Sequence, residues 1–292
     1  MAQAKTAWIT GAASGFGLLT AAKLAQSGYV IVATTRQADA RREQIIQFIS
    51  HYTQEATVHV WELDVRHEEQ AQLIAQQIID LYGKIDIVIN NAGYAAGGYA
   101  EDVPMQVWRD QFDTNVFGAV QVTKAAIPYM RKARSGCIIQ ISSISGRMGF
   151  PGLGPYVASK FALEGFSEAL RLEMSPYGVD VVLVEPGSYR TNIWDRSLAQ
   201  LHAPDDSPNH YYVDKVLASI QHNGATAPLP DPVVNLIVRI AHTAGGKRKL
   251  RYPIGKGART VLLSRMLLPW KAFERMLWKV IGVDIRRNRH GS

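Results

Sequence analysis

A single cysteine, Cys137, is the whole thiol content of the 292-residue chain. No internal disulfide can form, and because Cys137 lies inside an apolar run it reads as a buried, inert thiol. The eight histidines are scattered, with no HExxH and no Cys/His cluster at ligand spacing, so no metal site is expected. No uncharged apolar run has the length needed to span a bilayer. The N-terminus runs straight into a strand and a glycine turn at Gly11, which leaves no room for a targeting segment, and the expectation is a cytoplasmic protein. Helix-turn-helix, finger and RNA-binding signatures are missing. The net charge of +7, much of it at Lys247, Arg248, Lys249, Arg251, Lys256, Arg259, Arg286, Arg287 and Arg289, therefore reads as solvated surface, and no nucleic-acid partner is expected. Internal repeats and low-complexity tracts are missing too.

What is present is a rhythm. With 47% hydrophobic and 20% charged residues, the chain suits one large globular domain with or without an appendage. Short β-branched runs at Ala7 to Thr10, Tyr29 to Thr34, Thr57 to Leu63, Ile85 to Asn90, Cys137 to Ser142 and Val179 to Val184 alternate with helical stretches at Gly17 to Ser27, Glu68 to Tyr82, Trp108 to Lys132 and Pro155 to Ser175. The runs are nearly unbroken apolar stretches, as strands covered on both faces should be. The predicted fold class is α/β, a doubly wound parallel (Rossmann) sheet in a single domain. Its catalytic body spans 1–257, with a polar, Pro- and His-rich segment at about 188–230 read as a lid with short helices. Asp231 to Thr243 reads as a further helix. Arg251 to Ile254 reads as a seventh strand, against which Pro253 counts. Residues 258–292 form an amphipathic extension, two helical pieces split at Pro269.

After the first strand comes Thr10-Gly11-Ala12-Ala13-Ser14-Gly15-Phe16-Gly17. Glycines let the backbone turn tightly and approach a pyrophosphate, whose charge meets the N–H groups and positive end of the next helix. The turn resembles the TGxxxGxG form of the short-chain dehydrogenase/reductase family. That family's next marker, Asn-Asn-Ala-Gly after the fourth strand, stands here as Asn90-Asn91-Ala92-Gly93. The resemblance covers Lys5 to Thr191 closely. It implies that Asp64, with Val65 beside it, holds an adenine ring, that Asn115 is the family's helix asparagine, and that Pro186-Gly187 followed by Thr191 orients a nicotinamide. An acidic residue ending the second strand would favour NAD and repel a 2′-phosphate. Thr34-Thr35-Arg36 stands there instead, and the Arg36 fork, with the Ser14 hydroxyl, suits that phosphate. NADP(H) is the expected cofactor.

Tyr156 and Lys160 lie four residues apart, hence on one face of a helix. A free phenol titrates near pH about 10 and is sluggish at neutrality. A neighbouring ammonium and an oxidised nicotinamide would favour tyrosinate, making Tyr156 a usable general acid and base. Tyr211 and Lys215 repeat the spacing. The family also places a serine thirteen residues before its tyrosine, which gives Ser143 for Tyr156 but Leu198 for Tyr211. Ser143 is accordingly preferred over its neighbour Ser142. The resemblance further implies that Lys160 binds the nicotinamide ribose and that a water near Asn115 refills the proton, although Asn115 can also be read as a helix cap or kink.

Tyr94, Met148, Phe150, Leu153, Tyr189, Ile193 and Trp194 are expected to line a dry pocket, which points to a small apolar carbonyl or alcohol substrate. The sequence is similar to the hydroxysteroid and retinol dehydrogenase and carbonyl reductase branch. An epimerase of the same fold would carry GxxGxxG spacing, and a non-catalytic NADP(H)-binding protein would have lost Tyr156 or Lys160. The resemblance implies a homo-oligomer. The extension from Thr260 to Ile285 must bury one face. Packing against the body or a sister subunit is the expected outcome, ahead of contact with a membrane surface.

Overall fold

The computed structural model describes residues 4–191 and 201–283. Seven strands, β1 (Thr6–Thr10), β2 (Val30–Thr35), β3 (Val58–Glu62), β4 (Ile87–Asn90), β6 (Gly136–Ile141), β7 (Val179–Pro186) and β9 (Arg251–Ile254), form one parallel sheet in the order β3-β2-β1-β4-β6-β7-β9. Two more among the described residues, β5 (Gly97–Gly98) and β8 (Leu201–His202), pair as a short parallel ribbon. The six runs read from sequence all become strands, their ends moving by at most two residues. The seventh forms at the edge, where Pro253 is tolerated. Leu183 and Gly187 donate to the carbonyls of Leu250 and Ile254, and neither bond calls on a proline N–H.

The alternating pleat sends neighbouring residues to opposite faces. From β1, Ile9 enters a core built with helices α1 (Gly15–Gln26), α2 (Ala38–Ser50) and α8 (Asp231–His242). Trp8 enters the other core, built with α3 (Glu68–Tyr82), α5 (Gly118–Ala133) and α6 (Gly154–Met174). The expected helix from Trp108 to Lys132 begins earlier and is not uniform. It comprises α4 (Met105–Phe112), a π-helical stretch over Asp113–Phe117, and α5. Such wide turns insert a residue and redirect one side chain, here Asn115.

Among the described residues of the segment read as a lid stands one four-turn helix, longer than the short helices expected: α7 (His210–Ala225), anchored by buried Val213 and Val216. Polar composition hides this helix, and its apolar residues at a spacing of three are the available signal. The last two helices among the described residues are α9 (Ala258–Leu267) and α10 (Trp270–Ile281), split at Pro269. Phe273 is buried and Trp278 meets Tyr212 of α7 edge to face. Ile193 and Trp194, like Ile285, Arg286, Arg287 and Arg289, lie outside the described residues. Among those described, no helix is long and apolar enough to cross a membrane.

The strand order reverses between β1 and β4, where the connection out to β2 and β3 gives way to the connection toward β6. At such a switch point no crossover covers the carboxyl ends, and a crevice opens.

Candidate active site

That crevice is a cleft of about 1500 Å³. Its first wall is the turn from β1 to α1. Gly11 (φ 63°) and Gly15 (φ 56°) take left-handed backbone, and Ser14 caps the helix in extended conformation without spending its hydroxyl on the cap. Gly17 is required for another reason: a Cβ there would stand 2.5 Å from Asn91 Nδ2 and 2.6 Å from the Gly11 carbonyl. Asn91 clasps the turn, donating through Nδ2 to the carbonyls of Thr10 (2.9 Å) and Gly11 (3.1 Å), while the Thr10 hydroxyl accepts from the N–H groups of Asn91 and Ala92, both at 3.0 Å. The two glycine-containing motifs, some eighty residues apart in sequence, are thus one hydrogen-bonded unit.

At the far end of β2 the Arg36 side chain is exposed, lines the cleft, and has no hydrogen bond or ion pair among the described residues. Arg41, one turn into α2, lines the same end. Sequence reading missed it, although an arginine in the first turn after the second strand is a usable signal. Asp64 and Val65 line the cleft as well. Arg66 grips the Asp64 carboxylate with Nε at 3.0 and 3.1 Å and Nη2 at 2.6 Å, and holds its pKa below the usual carboxylate range. This pair was also missed.

Gly93 and Tyr94 run along the floor, held from the π-helical turn. Asn115 is buried, donates to the Tyr94 carbonyl (2.9 Å) and the Ser159 hydroxyl (3.2 Å), and accepts from the Tyr94 N–H (3.1 Å). Gly93 leaves it room, since a Cβ there would meet Asn115 Oδ1 at 3.0 Å. The kink and the clamp are one feature. On the other rim, the Gly187 N–H bonds the Ile254 carbonyl at 2.8 Å beyond Pro186, and Thr191 approaches Gly15. Phe16 meets Tyr189 edge to face.

The candidate catalytic side chains lie where β6 ends and α6 begins. Tyr156 and Lys160 are both buried on one face of α6, with Lys160 Nζ 5.8 Å from the Tyr156 ring centroid and donating to the Ile141 carbonyl at 2.8 Å. Of the adjacent serines, Ser143 donates to the Pro186 carbonyl at 3.4 Å, accepts from the Ser145 N–H at 3.1 Å and lowers the pKa of the Tyr156 phenol, whereas the buried Ser142 hydroxyl has no hydrogen-bond partner among the described residues. Tyr211 and Lys215 repeat the 5.8 Å geometry on α7, but Tyr211 is exposed and does not line the cleft. Burial separates the two pairs where spacing alone does not.

Electrostatics modify one expectation. Burial pushes the Tyr156 phenol up, opposed by the Ser143 hydroxyl, and also pushes Lys160 down to about 8, opposed by the Glu164 carboxylate. In the chain alone desolvation outweighs the Ser143 hydroxyl, and the phenol stays protonated at neutral pH.

Tyr94, Phe150, Leu153 and Tyr189 line the cleft as expected. Met148 does not: it is fully buried and lies outside the lining, because the short turn after β6 directs it into the interior. Val216 of α7 and Val261, Met276, Leu277, Val280 and Ile281 of α9 and α10 join the wall instead. An amphipathic pattern shows that a face must be buried, but not where it docks.

Residues 5–201 match the short chain dehydrogenase family. Over 277 residues the chain is 48% identical to the uncharacterized oxidoreductase YusZ of Bacillus subtilis (strain 168), covering 94% of this chain and 98% of that protein. It is 40% identical over 214 residues to a 3-ketodihydrosphingosine reductase of Bacteroides thetaiotaomicron, covering 73% of each. Among solved structures, a short-chain dehydrogenase from Streptomyces avermitilis superposes with a TM-score of 0.77 at 29% identity, covering 98% of this chain and 100% of that one.

Proposed function

The chain belongs to the short chain dehydrogenase family, and from that premise we propose that it is an NADP(H)-dependent oxidoreductase interconverting a carbonyl and a secondary alcohol on an apolar substrate. The observation that carries this reading is the buried Tyr156–Lys160 pair with Ser143, set against the glycine turn in one cleft.

The cleft fits a dinucleotide. Its turn is bare where a Cβ would fill it, at Gly11 and Gly17, and the positive end of α1 faces the space a pyrophosphate needs. Gly15, Phe16, Asn91, Ala92 and Gly93 would wall the coenzyme. Asp64 and Val65 would border its adenine, Lys160 its nicotinamide ribose, and Pro186, Gly187 and Thr191 its nicotinamide. Arg36, with no ion-pair partner among the described residues, together with Arg41 and a Ser14 hydroxyl not spent on the helix cap, suits a 2′-phosphate, and no carboxylate at position 35 repels one. When bound, the coenzyme supplies or accepts the hydride.

The chain's own residues handle the proton. Tyr156, kept protonated by burial, donates to the substrate oxygen during reduction, and the Ser143 hydroxyl donates a hydrogen bond to the same oxygen as charge develops. Lys160 holds positive charge behind the phenol, its ammonium fixed by the Ile141 carbonyl. Asn115 fixes the floor of the site through Tyr94. Phe150, Leu153 and Val216 exclude water from the substrate side. Phe117 and Phe161, exposed on neighbouring elements, offer the apolar face that a homo-oligomer would bury.

The test is NADPH oxidation against a panel of apolar ketones. Tyr156→Phe should abolish turnover while leaving NADPH binding intact. Arg36→Ala should weaken NADPH by more than about tenfold and leave NADH nearly unchanged, the loss of one charge-assisted contact. Equal losses for both coenzymes would remove the 2′-phosphate assignment, and turnover by Tyr156→Phe would remove the mechanism.

A further inference from the structure

Helices α9 and α10 carry apolar surface that packing does not consume. Phe273 turns inward and is buried, but Leu263 (53% exposed), Met266 (72%), Leu267 (73%) and Trp270 (56%) face solvent around the corner at Pro269. Isolated exposed side chains are ordinary, whereas four large ones within eight residues form a patch that needs a reason.

The charge around the patch has one sign. From Lys256 to Val283 the segment carries Lys256, Arg259, Arg265, Lys271, Arg275 and Lys279 against Glu274 alone. Lys271, Arg275 and Lys279 recur every four residues and are all exposed, so they make a single cationic row along α10. The Arg265 guanidinium lies 4.7 Å from the Trp270 ring centroid, placing a cation and an amphipathic aromatic together at the corner. An isologous contact with a second copy would set this row near its own image, like charge against like. An anionic surface with an apolar interior satisfies both halves of the pattern.

The patch also leads somewhere. Met276, Leu277 and Val280 of the same helix line the cleft, and Val280 is itself 72% exposed, so the apolar wall of the site continues onto the outer surface of α10.

We propose that the α9–α10 corner seats this protein on an anionic phospholipid surface, with Leu263, Met266, Leu267 and Trp270 entering the headgroup boundary and the basic residues pairing with lipid phosphates. The substrate is then a membrane-resident amphiphile whose carbonyl or alcohol reaches Tyr156 along α10. This second statement rests on the oxidoreductase reading above, but the docking does not.

The full chain is sedimented with vesicles of phosphatidylcholine alone and of phosphatidylcholine mixed with phosphatidylglycerol. It should bind the anionic vesicles, release as salt is raised, and leave the neutral ones largely free. Met266→Glu with Leu267→Glu, both outside the cleft lining, should cut anionic binding by more than about tenfold and leave turnover of a small water-soluble ketone unchanged. Failure of the intact chain to bind anionic vesicles, or full binding by the double variant, overturns the docking. A lower oligomeric mass in the double variant with unaltered vesicle binding would assign the corner to contact between copies and overturn it equally. Vesicle binding without NADPH oxidation on any ketone would leave the docking standing and remove the oxidoreductase reading.

Discussion

Three helical glycines turn the geometry of the cofactor cleft into a measurable ordering. Replacing glycine by alanine inside a helix gains about 1 kcal/mol when nothing else changes. At Gly165, exposed on α6, an added Cβ meets nothing within 4 Å, so Gly165→Ala should be more stable than the parent by about that amount. Gly17→Ala receives the same gain but places its Cβ 2.5 Å from Asn91 Nδ2 and 2.6 Å from the Gly11 carbonyl. The Asn91 amide must move away from both acceptors it now holds, at 2.9 and 3.1 Å. Losing two hydrogen bonds costs about 2 kcal/mol, and shifting packed backbone costs about 1–3 kcal/mol more. After the helix gain the net is a destabilisation of about 2–4 kcal/mol, or roughly 3–7 °C in Tm for a chain of this size. Gly118→Ala, whose Cβ would meet Val65 Cγ2 at 2.6 Å, should fall between the other two, because a side chain yields more readily than a clasped turn. Thermal unfolding followed by circular dichroism gives the ordering, and NADPH titration should show Gly17→Ala alone losing most of its affinity. If Gly17→Ala unfolded at or above the parent's Tm, the clasp between Asn91 and the turn would not be what requires glycine there.

Other consequences follow from buried groups. Burial and the neighbouring Glu164 push the Glu185 carboxyl from 4.5 up to about 7, so its contribution to stability is fully present below about pH 4.5 and is lost as pH rises through about 7. Glu185→Gln should therefore flatten the decline in Tm between about pH 5 and about pH 8, and parallel curves for the two proteins would refute the shift. Lys160, lowered to about 8, should lose its charge as pH rises through that value, and reductive kcat/KM should fall there. A profile flat across that interval would show that the ammonium is not required. Burial pushes the Cys137 thiol up to about 12, and the native protein should resist a thiol reagent that labels it at once in denaturant. Rapid labelling of the native chain would contradict the packing of β6.

The sequence by itself determined the sheet and the local geometry that depends on short spacings. Buried parallel strands must be apolar on both faces, so β1, β2, β4, β6 and β7 were legible as unbroken runs, and the four-residue step from Tyr156 to Lys160 fixes a shared helix face. Ser143 could be singled out through the family spacing to Tyr156, and Arg36 through its place at a strand end, and both line the cleft. Whatever depends on where separate elements dock was not legible. Met148 has the composition of a pocket residue, yet the turn after β6 buries it, while Met276 and Leu277, more than a hundred residues from Tyr156, line the same cleft. Tyr211–Lys215 matches Tyr156–Lys160 in spacing and in its 5.8 Å separation, and only burial tells them apart. The upward shift of the Tyr156 phenol is likewise a property of the packed site, since desolvation is set by what surrounds the group. Local periodicity encodes which face of an element is apolar, but the partner of that face, and so the dielectric around each titrating group, is chosen only when the elements pack together.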